Sequence, residues 1–232
     1  FVGFKGYKPD VWVTYHLYYK APDLIGPQLS QYFGIPYIVA EASHAPKREN
    51  GRWARGHSAA EQAIRIADHI ISLNPADTPC VVPLLKKSAL ITPLRPFLPA
   101  NHYFFDKSAS NDRLQFLADQ GLDPRVTTLA AVAMMRKGDK YASYSALADA
   151  LDRISNLSWQ LLIVGDGPMR QALEQRFTSL DKNRVKFLGA LRDSDVAITL
   201  NASDLFVWPA IKEAYGMAIL EAQAAGLPVI AG

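Results

Sequence analysis

The sequence lacks the features that mark several specialised classes of protein. Its 232 residues include a single cysteine, Cys80, which excludes an internal disulfide framework and any cysteine-rich metal site. No apolar run approaches the roughly 18 residues that a membrane-spanning helix requires. The net charge of +3 is too small to indicate a nucleic-acid partner, although it is compatible with anionic substrates or an anionic membrane surface. The remaining composition, 49% hydrophobic and 20% charged, is ordinary for a globular protein.

Both ends of the sequence also lack what complete chains usually have. The first residues, FVGFKGYKPD, contain no methionine and no apolar stretch of the kind found in a signal peptide. The last residue, Gly232, closes a segment that is predicted to be a strand. We therefore expect the sequence to be an internal fragment of a longer protein.

Predicted strands and helices alternate through the chain. Short apolar runs predict the strands, and amphipathic segments bounded by glycine or proline predict the helices. The predicted strands cover 11–15, 36–40, 69–73, 127–134, 161–164, 185–188, 204–209 and 227–231, and the run 89–91 is short and apolar. The predicted helices cover a segment ending at Gly34, then 57–67, 75–87, 111–120, 140–154, 169–180, 195–201 and 215–225. This alternation indicates an α/β protein with two doubly wound parallel sheets, in which ligands bind beyond the carboxyl ends of the strands.

A proline-rich segment separates the two predicted sheets. The stretch 92–100, TPLRPFLPA, holds three prolines, which argue against regular structure there. We expect the chain to leave its first domain through this segment. The first domain is accordingly predicted to span 1–105 and the second 106–232.

The segment 208–232 contains two acidic residues on either side of a helix start. Glu213 is predicted to lie in the loop before the helix, and Glu221 about two turns into it. Gly216 lets the backbone approach a ligand closely, and the N–H groups of residues 215–218 would face an anion. Such a site can hold a phosphate at the helix end and sugar hydroxyls on the carboxylates.

This segment, EAYGMAILEAQAAGLPVIA, resembles the E-x7-E signature of the family 4 (group 1) glycosyltransferases, which have the GT-B fold. The flanking L-E-A and A-G-L-P-V agree as well as the two acids. The resemblance implies two Rossmann-like doubly wound domains, both incomplete here. The first would be the partial acceptor-side domain and the second the partial nucleotide-sugar-binding domain.

The resemblance also implies an activity. Family members move a sugar from a nucleoside-diphosphate-sugar to an acceptor hydroxyl, generally with retention of configuration, and we expect the product to be a surface polysaccharide or glycolipid. By analogy, Glu221 would bind the ribose hydroxyls, and Glu213 with Tyr215, Gly216 and Met217 would hold the donor sugar. No metal or other cofactor is expected. The expected location is the cytoplasm, with peripheral contact at the inner face of the plasma membrane for a lipid-linked acceptor.

Two further segments of the second domain resemble donor-binding elements of the family. VGDGP, with Gly165, Asp166 and Gly167, matches a loop near the donor nucleotide, although alone it is a generic strand-to-helix turn. VAMMRKGDK stands where the family has V-G-R-L-x3-K-G, whose Arg and Lys hold the donor diphosphate. Here the match is imperfect, and Arg136 and Lys140 are the best candidates for those cations. A solvated basic loop is the alternative.

The first domain contributes weaker candidates. His44 follows a predicted strand, where the family often has a histidine near the cleft, so His44 and Glu213 are the predicted catalytic positions. His16 follows the preceding predicted strand in the same way. Arg48 and Arg52 belong to a basic loop around Trp53 that could hold an anionic or lipid-linked acceptor, although such loops are more often simply solvated.

No metal site is expected from the spacing of potential ligands. Asp193 and Asp195 match the D-x-D pattern of metal-binding sugar transferases, but they precede a helix, where Asp193 or Ser194 is predicted to be the N-cap. No other cluster of His, Asp, Glu or Cys has ligand spacing.

Two other functions are compatible with parts of the pattern. Another GT-B enzyme, such as a sugar-nucleotide epimerase, is one alternative, although the context of the E-x7-E signature argues against it. The other alternative is a catalytically silent GT-B module that acts as a binding or scaffold subunit. The imperfect match of VAMMRKGDK to the V-G-R-L element supports it.

Overall fold

The computed structural model describes residues 9–99, 110–180, 183–213 and 215–232. The chain divides into two compact units, Phe1–Pro96 and Phe97–Gly232, which are called unit 1 and unit 2 below. The predicted domain boundary between residues 105 and 106 lies outside the described residues. In the described parts of the chain, every helix is too short or too polar to cross a lipid bilayer.

Unit 1 is a parallel sheet of four strands with helices between them. The sheet order is β1-β2-β3-β4, and neighbouring strands are consecutive in the chain. The strands are β1 (Trp12–Leu17), β2 (Tyr37–Ala42), β3 (His69–Ser72) and β4 (Leu90–Pro93). The helices are α1 (Gly26–Phe33), α2 (Ala54–Ile66) and the single turn α3 (Thr78–Val81). The buried core forms where Ala63 and Ile64 of α2 pack against Leu17, Val39 and Ile70 of the sheet.

Two predictions for unit 1 are wrong, and both concern segments that contain proline. The helix predicted over 75–87 is only α3 followed by a 3₁₀ turn, Val82–Leu84. Pro83 lacks the N–H that a continuing α-helix needs. The segment beginning at Thr92 is also not wholly irregular, because Thr92 and Pro93 pair with β3. β4 is an edge strand, where a missing N–H costs no ladder hydrogen bond.

A half-buried carboxylate, that of Asp23, links the start of α1 to the first two strands of unit 1. Burial on its own would raise the pKa of Asp23, but the hydrogen bonds that it accepts outweigh burial and lower the pKa. The Asp23 carboxylate accepts hydrogen bonds from the Thr14 hydroxyl, the Tyr37 hydroxyl at 3.0 Å, Trp12 Nε1 at 3.1 Å, and the backbone N–H groups of Ile25 and Gly26 at 3.0 and 2.7 Å.

We expect Asp23→Ala to destabilise unit 1 by about 3 kcal/mol, since it leaves several donors without their charged acceptor. Because the folded-state pKa is lowered, this stabilisation is present above the unfolded-state pKa and is lost as the pH falls through the folded value. Guanidinium unfolding curves at neutral and acidic pH measure both effects. Asp10→Ala, at an exposed position, is the control. Equal unfolding midpoints for the two variants would contradict the prediction.

Unit 2 is a parallel sheet of five strands in the order β7-β6-β5-β8-β9. The strands are β5 (Thr127–Val132), β6 (Trp159–Val164), β7 (Val185–Gly189), β8 (Leu205–Trp208) and β9 (Val229–Ala231). The helices are α4 (Ser110–Asp119), α5 (Asp139–Arg153), α6 (Arg170–Arg176), α7 (Asp193–Asn201) and α8 (Met217–Ala224). The α/β prediction is therefore confirmed for both units.

Both faces of the unit 2 sheet are covered. All six residues of β6 are buried, as expected for a central parallel strand. Leu161 and Ile163 belong to the larger core cluster, while Leu162 belongs to a second cluster with Leu117 of α4. Alternate residues of a strand point to opposite faces, so these two clusters show the doubly wound arrangement that was predicted.

The strand order of unit 2 creates a topological switch point at β5. The chain runs from β5 to β6 on one side and later returns to β8 on the other side. In open α/β sheets, ligands bind at the carboxyl ends of the strands flanking such a point. The loops that follow β5, β6 and β8 all reach this edge of the sheet, and they carry the donor-binding candidates.

Candidate functional site

The loop that follows β8 has an unusual backbone. Ala210 and Lys212 have left-handed φ angles of 55° and 49°, and Gly216 has 61°. Left-handed conformations are costly for residues with a side chain and concentrate at functional sites. The Glu213 N–H closes the turn on the Ala210 carbonyl at 2.9 Å.

The helix predicted over 215–225 begins two residues later than expected. α8 starts at Met217, because Gly216 is left-handed and cannot belong to a right-handed helix. Glu221 therefore lies about one turn into α8 rather than two. The first N–H groups of α8 still lie just after the loop that carries Glu213. The order of loop acid, helix start and helix acid is as the motif predicts.

Glu213 is held by donors from three parts of unit 2. Its carboxylate accepts hydrogen bonds from Lys140 Nζ, from Trp208 Nε1 at 3.1 Å and from the Gly216 N–H. Lys140 belongs to the first turn of α5 and is 73 residues from Glu213 in the chain. The two side chains are only 18% and 19% exposed. The two residues predicted to contact the donor diphosphate and the donor sugar are thus in direct contact.

The electrostatics of this pair keep Glu213 ionised. Burial alone would raise the pKa of Glu213, but the hydrogen bonds from Lys140 and Trp208, with the Lys140 charge, outweigh burial and lower the pKa. The Lys140 ammonium also lies 5.4 Å from the centroid of the Trp208 ring. An ionised carboxylate that accepts hydrogen bonds is suited to bind sugar hydroxyls.

Two buried aromatic rings, those of Trp208 and Tyr144, pack next to the Lys140–Glu213 pair. The Trp208 ring is 2% exposed and meets the Tyr144 ring edge-on, with centroids 4.9 Å apart. The Tyr144 hydroxyl donates to the Ala133 carbonyl at 2.8 Å, and the Ser143 hydroxyl accepts the Ile211 N–H at 3.1 Å. Helix α5 therefore ties the loop after β5 to the loop after β8. From sequence, Trp208 is predicted only as a strand residue, and no pattern marks Tyr144.

The loops after β5 and β6 are packed directly on each other. The Ala133 N–H donates to the Val164 carbonyl at 3.0 Å, and the Met135 N–H donates to the Asp166 carbonyl at 2.9 Å. A Cβ atom at Gly165 would lie 2.0 Å from the Ala133 carbonyl oxygen, and one at Gly167 would lie 2.4 Å from that of Met135. These two glycines therefore allow the loops after β5 and β6 to pack closely against each other.

We expect Gly165→Ala to destabilise unit 2 by about 2–4 kcal/mol, because the loop after β5 must shift to admit the methyl group. Gly121→Ala is the matched control: Gly121 also has a positive φ, but nothing lies nearer to its Cβ position than 3.8 Å. Unfolding curves of both variants show how far the loss at Gly165, which has φ 135°, exceeds the cost of a side chain at the unobstructed Gly121, which has φ 66°. If the two variants lose equal stability, the contact between the loops is not the reason for the glycine.

The remaining donor-binding candidates have distinct placements. Arg136 is exposed in the loop before α5, while the adjacent Met135 is fully buried, a core role that the motif comparison missed. Asp166 precedes α6, whose N-cap is Met169, although the sequence also allows Asp166 to cap this helix. Its carboxylate instead accepts the Gly167 N–H at 2.7 Å and pairs with Arg170 at 3.1 Å.

The aspartates of the D-x-D pattern mark the start of α7. The helix begins at Asp193 and its N-cap is Arg192, so the prediction of Asp193 or Ser194 as the N-cap was wrong by a residue. Asp195 forms an ion pair with Arg192 at 3.1 Å. Carboxylates in the first turn complement the partial positive charge of the helix start, which accounts for both residues.

In unit 1, His44 lies beyond β2 and its imidazole is turned onto α2. The His44 side chain is 9% exposed, its ring centroid is 4.6 Å from that of His57, and its Nε2 lies 3.5 Å from Glu61 Oε2. Burial lowers the pKa of His44, and the nearby His57 lowers it further, against the opposing effect of Glu61. Ligand spacing in the sequence predicts no cluster of this kind, but the structure brings His44, His57 and Glu61 together.

The other unit 1 candidates form two separate groups. His16 pairs with Glu41 at 2.9 Å, and both residues have left-handed φ angles at the ends of their strands. Arg48 lies over the Tyr19 ring at 5.4 Å, and Arg52 lies over the Trp53 ring at 4.7 Å. Tyr19 and Trp53 are themselves in edge contact, with centroids 5.6 Å apart, so the basic loop is stacked on aromatic rings.

Solved structures share the fold of this chain. Sucrose-phosphate synthase from Thermosynechococcus elongatus matches with a TM-score of 0.68 and 18% identity, over 98% of this chain and 57% of that chain. Anabaena HepE in complex with UDP and glucose matches with a TM-score of 0.68 and 22% identity, over 94% and 58%. The GT-B fold, with a Rossmann-like sheet in each unit, is therefore confirmed.

The sequence comparisons identify the family. The family described as "Glycosyl transferases group 1" matches residues 114–232, and the chain belongs to this family. A GDP-mannose-dependent monoacylated alpha-(1-6)-phosphatidylinositol monomannoside mannosyltransferase from Corynebacterium glutamicum is 46% identical over 80 residues, which are 32% of this chain and 21% of that protein. An uncharacterized glycosyltransferase from Methanocaldococcus jannaschii is 25% identical over 95% of this chain and 57% of its own length.

Proposed function

We propose that the protein transfers a sugar from a nucleoside-diphosphate-sugar to an acceptor hydroxyl. The contact between Lys140 and Glu213 at the switch point of unit 2 carries the proposal. A nucleoside-diphosphate-sugar has a charged diphosphate next to a polyhydroxylated ring, so its recognition requires a cation and a hydroxyl-binding acceptor side by side. Lys140 supplies the cation and ionised Glu213 supplies the acceptor.

The donor would extend from this pair along the edge of the sheet. Lys140 and exposed Arg136 would stabilise the charge that grows on the departing nucleoside diphosphate. The N–H groups at the start of α8, near Tyr215, Gly216 and Met217, would bind a phosphate oxygen or the sugar. Glu221, one turn further along α8, would accept hydrogen bonds from the ribose hydroxyls. Gly165, Asp166 and Gly167 would border the nucleotide from the neighbouring loop.

The proton and charge balance of this transfer requires no metal. Transfer breaks the bond between the anomeric carbon and the diphosphate and forms a new bond to the acceptor oxygen, with retention of configuration. The departing phosphate oxygen can take the acceptor proton. Glu213 is a weak base, since its pKa is lowered, so we assign it to sugar binding rather than to proton abstraction. His44 remains the candidate catalytic residue of unit 1.

The acceptor would bind through unit 1. The basic loop with Arg48 and Arg52, stacked on Tyr19 and Trp53, presents positive charge together with aromatic surface. Such a surface suits an anionic sugar or lipid-linked acceptor at a membrane. The name of the Corynebacterium relative states that it acts on a phosphatidylinositol mannoside, which agrees with glycolipid synthesis. We therefore propose a cytoplasmic enzyme with peripheral contact at the inner face of the plasma membrane.

Nucleoside diphosphate release from a panel of donors tests the proposal. The full-length protein is incubated with UDP-, GDP-, ADP- and dTDP-sugars, with Glu213→Ala as the control. Release from one donor that is lost in the variant supports the transferase and identifies the donor. If no donor is turned over, calorimetry with the free diphosphates follows. Binding indicates that an acceptor is missing, whereas no binding favours a catalytically silent module.

A further inference from the structure

We propose that His44, His57 and Glu61 form a binding site for a divalent transition metal of the Zn²⁺ class in unit 1. Each residue offers a ligand atom, and these three atoms lie within 4.8 Å of one another. Two imidazoles and a carboxylate are a common ligand set for Zn²⁺, which leaves a fourth position for water. The site lies entirely within unit 1 and is independent of the donor chemistry proposed for unit 2, and it assigns His44 to metal binding in place of the catalytic role that the family resemblance implies.

The local fold brings the side chains of His44, His57 and Glu61 together. His57 and Glu61 are four residues apart on α2, so they project from the same face of the helix. His44 reaches that face from the end of β2. His44 Nε2 and Glu61 Oε2 are 3.5 Å apart, close to the roughly 3.3 Å that separates two ligands bound at about 2.0–2.1 Å in a tetrahedral site.

The unsatisfied nitrogens of the two histidines are the second observation. The Nε2 atoms of His44 and His57 are both buried and have no well-formed hydrogen bond among the residues that the structure describes, since the nearest acceptor of His44 Nε2, Glu61 Oε2, is 3.5 Å away. A buried polar atom without a partner is costly, and an unseen ion is one explanation for such atoms. Two such nitrogens lie beside one carboxylate, that of Glu61. A cation bound by all three groups explains them better than two unrelated unsatisfied atoms.

Glu61 is also oriented as a ligand would be. Its Oε1 accepts hydrogen bonds from Arg65 Nε at 3.0 Å and Nη2 at 2.7 Å, which leaves Oε2 directed at His44. Outer partners of this kind fix the carboxylates that bind metals. The Glu61 side chain is 30% exposed, so an ion has a route into the site. A bound ion would fasten the end of β2, and the basic loop after it, to α2.

Calorimetric titration of the chelator-treated, full-length protein with Zn²⁺ tests the site. We expect one equivalent to bind, and Glu61→Gln and His57→Gln to weaken binding at least about 100-fold, since even outer-shell changes cost 10- to 100-fold. His69→Gln is the matched control, because His69 lies in the same unit but bonds Thr92 at 2.8 Å. Circular dichroism establishes that each variant is folded.

A thermal measurement on the unaltered protein removes any dependence on variant folding. Zn²⁺ should raise the melting temperature of the wild-type protein, and EDTA should reverse the increase. Failure of the wild-type protein to bind Zn²⁺, or binding that persists in Glu61→Gln, overturns the proposal. If His44 serves only sugar transfer, its replacement reduces activity, but the wild-type protein shows no affinity for Zn²⁺.

Discussion

Glu213→Gln should reduce sugar transfer by about 10²- to 10³-fold while leaving nucleoside diphosphate binding unchanged or slightly tighter. The amide keeps the size of the side chain but removes the negative charge that would hold the donor sugar, and a lost preorganised electrostatic contact typically costs this much in kcat. Lys140 loses its partner in the variant and becomes freer to engage the diphosphate. Activity and diphosphate affinity should therefore change independently.

Two measurements separate these effects. Steady-state kinetics with the identified donor give kcat and KM, and calorimetry with the free nucleoside diphosphate gives the affinity that does not depend on the sugar. Asp152→Asn, an equivalent change at an exposed position of α5, serves as the control. If Glu213→Gln retains transfer close to the wild-type rate, Glu213 does not hold the sugar. The contact between Lys140 and Glu213 would then no longer support the proposed function.

Lys140→Met should weaken nucleoside diphosphate binding by about 10- to 100-fold, which corresponds to about 1.5–3 kcal/mol for a charge-assisted hydrogen bond. It should lower transfer as well, because the departing diphosphate loses a stabilising cation. Glu213 would remain half-buried without its main counter-charge, so burial would raise its pKa. The variant should consequently lose activity at a higher pH than the wild-type protein does when the pH is lowered.

The pH dependence gives this prediction a distinctive result. In the wild-type protein, the pKa of Glu213 is lowered, so the pair contributes above the unfolded-state pKa and fails only as the pH falls through the folded value. Calorimetry and pH–rate profiles of Lys140→Met, with Lys186→Met as the control, measure both changes. Diphosphate affinity and a pH profile identical to those of the wild-type protein would show that Lys140 plays only a structural role.

The fold could be predicted from sequence because its signals are local. Apolar runs such as that of β6 and amphipathic helices such as α5 are set by neighbouring residues, and their alternation along the chain indicates parallel sheets. The errors also arose locally, where a single residue broke a pattern. Pro83 ended a helix that composition favoured, and left-handed Gly216 delayed the start of α8.

The candidate site was only partly accessible from sequence. The spacing of Glu213 and Glu221 identified the family, which the comparisons confirmed, although their individual roles stay predictions. Lys140 was named from a degraded motif, and the structure now shows that it contacts Glu213. Trp208 and Tyr144 were not recognised as supports, since buried aromatic residues next to a strand are usually core and carry no distinguishing pattern.

The sequence by itself determined the alternation of strands and helices, the order of loop acid and helix acid after β8, and membership of the group 1 glycosyltransferases. Only the tertiary structure decided which distant residues meet. Lys140 reaches Glu213 and the Ala133 carbonyl occupies the space beside Gly165 because β5, β6 and β8 are neighbours in the sheet. His44 likewise meets His57 and Glu61 through the packing of α2. The hydrophobic periodicity of a segment shows which of its residues are buried. The order of the strands, which brings separate loops together, depends instead on packing across the whole unit.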